Sequence, residues 1–433
     1  MQSRGPVIVV GGGIAGLMCA RTLTRAGHDV ALFERDSAIG GRVRTTVVDG
    51  FQLDHGFQVL FSAYPTLTAA LDLPSLELRA FRPAARIADG RTTPALVGDA
   101  LADLSLLWPT LAAPQLSLLD KARLLLLRYL ATSLSFDDCF DARFDNISTR
   151  DFLRQRHFSV NAINNFFAPF YGGILLDRSL GSSASVLLYT FKMLAEGRTV
   201  VPAKGMGAIP AQLASALPPR TVRTGQRVTR LLRDPAGVNG VILDSGEAIG
   251  GACVVLACDP PTIATLANTV QVPLSVPEVG LGCTTVYLRS RVPLLEGDQL
   301  WLNASPSATV SHAVTISNIA VDYAPAGACL TAATMLGAAA ALDDADLVPR
   351  VRADLLAMAG RAESATSELL AVWRVPYSQY VQGPGSARRR LPVETAARGL
   401  FVASEAGHTS SLEGAARGGI AAAEAVMRSV GTR

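Results

Sequence analysis

Val7-Ile8-Val9-Val10-Gly11-Gly12-Gly13-Ile14-Ala15-Gly16 is the stretch that decides the fold, together with the helical spacing of Ala15 to Arg25 and the apolar run Asp29 to Phe33 that stops at Glu34. Four apolar residues before a glycine turn read as a buried strand, the spacing after it as a helix, and the second run as another strand, which makes one βαβ unit. Gly11, Gly13 and Gly16 fall in a GxGxxG pattern at the strand-to-helix junction. Its first glycine permits a tight turn, its second a close approach of backbone to a pyrophosphate, and its third close packing of helix on sheet. Ile14 and Ala15 open the helix, whose first amides and positive dipole end suit phosphate oxygens. Glu34, eighteen residues beyond Gly16, is placed to accept hydrogen bonds from ribose hydroxyls. Strand, helix, strand and terminal acid together predict a dinucleotide site.

Outward from this unit the pattern changes. From about Leu60 to Ala195 the chain shows Leu/Ala-rich helical spacing broken by Pro109, Pro114 and Pro169, which reads as an inserted helical domain. Strand signals return at Val228 to Leu232, Val238 to Leu243 and Val254 to Ala257, separated by Asp234-Pro235-Ala236-Gly237 and Asp244-Ser245-Gly246, as in a small β-meander. A second insertion, Asp259 to Val393, mixes strands such as Thr284 to Leu288 with a helix from Asp343 to Met358. The chain closes with a strand, Leu400 to Ala403, and a helix from Leu412 to Met427. The expected fold is therefore α/β: a Rossmann-type domain assembled from residues 1–60, 196–258 and 394–433, carrying an inserted α+β substrate domain of residues 61–195 and 259–393. A chain of 433 residues suits two joined domains rather than one core.

Composition narrows the function. The net charge of +3 comes without a dense basic run or interleaved aromatics, which argues against nucleic acid as a partner. Five histidines, His28, His55, His157, His312 and His408, show no HExxH or other close ligand pair, six cysteines show no CxxC spacing, and no GxSxG elbow is present, so neither a metal site nor a hydrolase is expected. The scattered cysteines and the start of the first strand so near the N-terminus suggest a cytoplasmic protein with reduced thiols. Mean hydropathy is +0.30, yet no apolar run is long enough to span a bilayer. Leu101 to Phe136 is expected to be buried helical core, with an apolar tunnel or peripheral membrane contact as the alternatives. Oligomeric state has no signature here.

Gly40-Gly41-Arg42 follows Glu34 closely and offers a second glycine turn with a guanidinium for the pyrophosphate, which favours FAD over NAD. With this turn and Asp54-His55-Gly56 after it, the chain resembles the flavin amine oxidase, protoporphyrinogen oxidase and phytoene desaturase superfamily. Val201-Pro202-Ala203-Lys204-Gly205-Met206-Gly207, before the helix Ile209 to Leu217, resembles that family's Pro-x-x-Gly-Met segment. Leu400-Phe401-Val402-Ala403-Ser404-Glu405 resembles its last strand, with Ser404 in place of the usual glycine, and Leu412-Glu413-Gly414-Ala415 resembles the start of its flavin-facing helix. The resemblance implies bound FAD held by Gly11, Gly13, Ile14, Ala15, Gly16, Glu34, Arg35, Gly41, Arg42, Val228, Glu405, Leu412 and Ala415, with no metal.

Amine oxidases of this superfamily commonly carry a lysine in the substrate-domain strand comparable to Gly282 to Leu288, and this chain has none there. Phe166 to Ile174 looks instead like the aromatic, Pro-containing stretch of carotenoid-desaturase relatives. Phe170, Tyr171 and His55 are the candidates for the substrate site. The expected reaction is dehydrogenation of a hydrophobic, isoprenoid or carotenoid-like small molecule by hydride transfer to the flavin. An amine or porphyrinogen-type oxidase, a reduced-flavin isomerase and a non-catalytic flavin-binding protein remain as alternatives.

Overall fold

A computed structural model describes residues 5–90 and 93–430. The strands Val7–Val10 and Val30–Phe33 pair in parallel, and Val7–Val10 also pairs with Cys253–Leu256, which in turn pairs with Leu400–Val402. With Val222–Arg223 on the outer side of Val30–Phe33, these form a five-stranded parallel sheet drawn from the first, middle and last parts of the chain. Apart from the outer Val222–Arg223, its strands are continuous buried apolar runs because both faces are covered, as parallel sheets require. The first helix, Ile14–Arg25, and the last, Leu412–Val430, lie against each other on one face. They approach closely because Gly419 has no side chain: a Cβ there would sit 2.3 Å from the carbonyl oxygen of Ala15. Two strands of the expected meander are present as Val228–Asp234 and Gly237–Leu243, but its third strand is Ala248–Gly250. The expected third, Val254 to Ala257, instead enters the parallel sheet as Cys253–Leu256, where its uninterrupted apolar run is covered on both faces.

The second sheet has seven strands, in the order Glu368–Tyr380, Gly280–Ser290, Cys329–Leu336, His312–Thr315, Leu300–Asn303, Ala84–Ala88 and Ala95–Gly98. The period-two alternation of strands divides its residues between two faces. Val286, Leu288, Ala333, Met335 and Trp301 pack beneath the helix Asp344–Ala359 through Leu347, Val351 and Leu355. Thr285, Tyr287, Thr334, His312 and Leu302 point the other way, toward the nucleotide domain. The last two strands of this sheet come from residues 61–195, so the first insertion is not helical throughout. Ala84-Ala85-Arg86-Ile87-Ala88 carries little hydrophobic contrast, and its alternation becomes evident only when it pairs with Leu300–Asn303.

The rest of that insertion is helical. Leu118–Ser133 begins at a capping box in which Ser117 and Asp120 exchange side-chain and backbone hydrogen bonds. It rests on Ala184–Glu196. Here the expectation of a buried core is corrected: Leu106, Leu127 and Ala131 are buried, but Leu118, Leu119, Leu125, Leu126, Trp108 and Tyr129 are exposed. The leucines outnumber what a single inward stripe can bury, so the helix carries an apolar face on each side. Among the described residues, no helix is long and apolar enough to cross a membrane.

Candidate functional site

The site starts at the glycine turn. Gly16 lies so close to the end of the first strand that a Cβ would stand 1.9 Å from the carbonyl oxygen of Gly11, whereas a Cβ on Gly13 would meet nothing within 4 Å. One glycine is thus needed for packing, and the other keeps a cradle open in front of the helix. No side chain caps this helix and its first turn holds no acid, so its first amides have no side-chain partner within the helix. Glu34 is buried, with one carboxylate oxygen accepting from the Gly12 N–H at 2.7 Å and the other from the Asp36 N–H at 2.9 Å. The Gln226 N–H donates to the Glu34 carbonyl at 2.9 Å, which brings Val228 and the start of the meander beside this acid.

The second glycine turn meets the far end of the chain. Arg42 donates to the carbonyl of Ser378 at 2.8 Å and pairs with the buried carboxylate of Glu405 at 2.5 Å, across 363 residues of sequence. Burial opposes the Arg42 charge, and Glu405 more than offsets it, holding the guanidinium protonated above its usual range. At the start of the last helix, Gln382 accepts from the Thr409 hydroxyl and the Ser410 N–H, each at 2.9 Å. Glu413 is fully buried, accepts from the N–H groups of Thr66 and Leu67, and pairs with Arg417 at 2.8 Å. It thereby caps the short helix Pro65–Ala69 and ties the insertion to the helix that carries Leu412 and Ala415.

Between these turns and the seven-stranded sheet runs Asp54-His55-Gly56-Phe57. Asp54 is buried and accepts from the Thr45 hydroxyl, the Met206 N–H and the Tyr323 hydroxyl, while its carbonyl accepts from Tyr287. Burial outweighs these bonds and lifts its carboxyl to about 6. His55 stacks on Trp373 with ring centroids 3.9 Å apart, and its ring is held below its usual basicity by burial and by Arg44. The Phe57 N–H donates to the Thr285 hydroxyl at 3.2 Å, and its ring lies 5.4 Å from that of His312. Strand register sets Trp373, Thr285, Thr334, His312 and Leu302 side by side in one row under this loop. The hydroxyls of Thr285 and Thr334 bond each other at 3.3 Å. His312 is buried, its Nδ1 lacks a partner, and burial with Arg178 nearby drops its pKa to about 4, so the ring is neutral at physiological pH.

A sequence profile of the flavin-containing amine oxidoreductases matches residues 14–427. The chain belongs to that family. It is 31% identical to a phytoene dehydrogenase of Streptomyces griseus over 310 residues, 63% of this chain and 58% of the relative, and 45% identical to a putrescine oxidase of Kocuria rosea over 71 residues, 16% of this chain and 15% of that one. These matches thus span just over half of the first relative and a small part of the second. A solved putrescine oxidase bound to putrescine shares the fold at a TM-score of 0.74 and 19% identity, covering 98% of this chain and 99% of that one.

FAD is the cofactor of a flavin-containing amine oxidoreductase, and the residues present fit it. The Gly13 cradle and the uncapped helix suit a pyrophosphate, Glu34 a ribose, and Arg42 with Glu405 the polar middle of the molecule. Two polar atoms, Gln226 Oε1 beside the Glu34 strand and Trp373 Nε1 in the row, are enclosed without a partner. Gly11, Ile14, Ala15 and Gly41 surround the turn, and Gly41 stands against Gly13. Arg35 is more than half exposed, with Asp36 its nearest acid at 3.9 Å. Phe170 is half-buried. Tyr171 is only 1% exposed, in an aromatic cluster with Phe167, Phe170 and Phe191. Two residues further on, Gly173 abuts the His312 ring and links this helix to the row.

The sequence reading did not single out Trp373, Thr285, Thr334, His312, Gln382 or Glu413. Alternation along Thr284 to Leu288 could have assigned Thr285 a face, but not its neighbours. Among the described residues there is no group of acids, histidines or cysteines that could hold a metal ion.

Proposed function

We propose that this flavin-containing amine oxidoreductase dehydrogenates an extended apolar substrate of isoprenoid or carotenoid-like chemistry. The observation that carries this reading is the uncharged row of Trp373, Thr285, Thr334, His312 and Leu302 beneath Phe57. Where the family's amine oxidases commonly have a lysine, Gly280–Ser290 offers Thr285. The chain has only three lysines, and all are elsewhere: Lys121 bonds the carbonyls of Leu111 and Ala113, Lys192 pairs with Glu196, and Lys204 is exposed. The extended similarity to a phytoene dehydrogenase supports the same substrate class.

When bound, FAD supplies the two-electron acceptor to which a hydride passes. The protein's share is placement. Neutral His312 and the mutually bonded threonines are packed beneath the Phe57 loop and bring no charge of their own to that side of the site. The stacked His55 and Trp373 rings and the Phe57 ring give flat walls that orient an extended chain and exclude water.

The test is anaerobic addition of two substrate panels to the FAD-loaded protein. Isoprenoids and polyenes should bleach the oxidised flavin band while small amines leave it unchanged. Bleaching by primary amines, followed by peroxide release when air is admitted, with no response to isoprenoids, would overturn the assignment.

A further inference from the structure

We propose that the face built by the helices Leu107–Ala112 and Leu118–Ser133 docks on a lipid bilayer, with Leu118–Ser133 lying in the plane of the interface. Its outer side presents Leu118, Leu119, Leu125, Leu126 and Tyr129, and Trp108 stands beside them, 76% exposed. These positions recur at helical spacing, so the apolar side chains form one face. The neighbouring helix Leu107–Ala112 buries none of its residues. Such an arrangement leaves large apolar area in water unless something covers it.

Several features select a bilayer over a second copy of the chain. The polar groups flanking the face are already satisfied internally: Asp120 is fully buried and bonded to Ser117 and Ser159, and the Lys121 ammonium donates to the carbonyls of Leu111 and Ala113. A protein interface of ordinary size carries about one hydrogen bond per 100–200 Å², whereas hydrocarbon asks for none. Charge fits as well. The chain is net +3, and the acids Asp103, Asp99 and Asp120 beside the face are withdrawn into ion pairs with Arg82, Arg128 and Arg123. Trp108 and Tyr129 combine an apolar ring with a polar tip, the side-chain type that settles at the headgroup level. The sixteen residues of Leu118–Ser133 make a helix of about 24 Å. That is short of the roughly 20 residues needed to cross, so the helix lies on the membrane.

Docking does not depend on the substrate reading, and its test needs no turnover. FAD-loaded full-length protein is sedimented with vesicles of phosphatidylcholine alone and of phosphatidylcholine with phosphatidylglycerol. The protein should pellet with both, more with the anionic mixture, and replacing Leu118, Leu119, Leu125 and Leu126 by Ser should weaken partitioning by more than about tenfold while leaving FAD content unchanged. Should that variant misfold, bromine-labelled acyl chains report in its place: they should quench tryptophan emission in the wild type and not in Trp108→Phe. Protein that stays in the supernatant with both vesicle types overturns the proposal. So does a dimer in solution that the four-serine variant dissociates, since the face would then belong to a second copy.

Discussion

Gly13→Ala and Gly16→Ala, three residues apart on one turn, should have opposite consequences. At Gly16 the new methyl would lie 1.9 Å from the Gly11 carbonyl oxygen, a backbone atom held by the strand behind it. Relief requires moving the helix off the sheet, an overpacking cost of about 1–3 kcal/mol or more. At Gly13 the methyl meets no protein atom within 4 Å, and the backbone is at φ −76, which any residue adopts. Loss of unfolded-chain freedom contributes about 0.4–1 kcal/mol of stability there, and replacing glycine as N-cap removes a similar amount, so the apoprotein should be nearly unchanged. The methyl instead occupies the cradle and holds the pyrophosphate away from the helix amides. Losing one charge-assisted hydrogen bond, at about 1.5–3 kcal/mol, weakens FAD binding roughly 10- to 150-fold. Thermal unfolding of the apoproteins and flavin fluorescence titration separate the two effects. Wild-type FAD affinity in Gly13→Ala, or equal destabilisation of both apoproteins, would refute the reasoning.

Other substitutions test the neighbouring parts. Glu34→Gln sets an amide NH2 against the N–H of Gly12 or of Asp36 whichever way it turns, so the apoprotein should lose about 1–3 kcal/mol and FAD should dissociate faster; unchanged denaturant midpoint and flavin release would return Glu34 to an ordinary role. Asp54, with its carboxyl lifted from 3.8 to about 6, favours its protonated form in the fold, so its contribution is fully present below about pH 4 and is lost as pH rises through 6, by roughly 2–3 kcal/mol. Asp54→Asn should flatten that part of the stability profile, and identical urea midpoints against pH in the two proteins would contradict it. Tyr171→Ala should destabilise by about 3–5 kcal/mol as a core truncation, and Phe170→Ala by less; equal small effects in chemical denaturation would show that the cluster repacks freely.

What was legible in the sequence depended on range. The first βαβ unit could be read because Val7–Val10, the glycine turn and Glu34 are fixed by local spacing. The closing strand and helix were legible for the same reason. Arg42 was expected at the pyrophosphate, and its bond to Glu405 joins segments that only the folded sheet brings together. The row under Phe57 draws on five strands from distant parts of the chain, and no single stretch announces it. His312 within Ser311-His312-Ala313-Val314-Thr315 looks like any buried strand histidine until the pairing with Thr334 sets it beside Thr285. The run from Leu101 to Phe136 misled for a different reason: hydropathy records how apolar a helix is, not which side its neighbours cover.

The most direct test of the proposed reaction is the mass of the product from one anaerobic turnover of FAD-loaded protein with an isoprenoid that binds. Dehydrogenation predicts a product lighter by two hydrogens, formed in an amount equal to the flavin that bleaches. A converted substrate of unchanged mass, formed only after the flavin has first been reduced, would contradict it and identify a reduced-flavin isomerase.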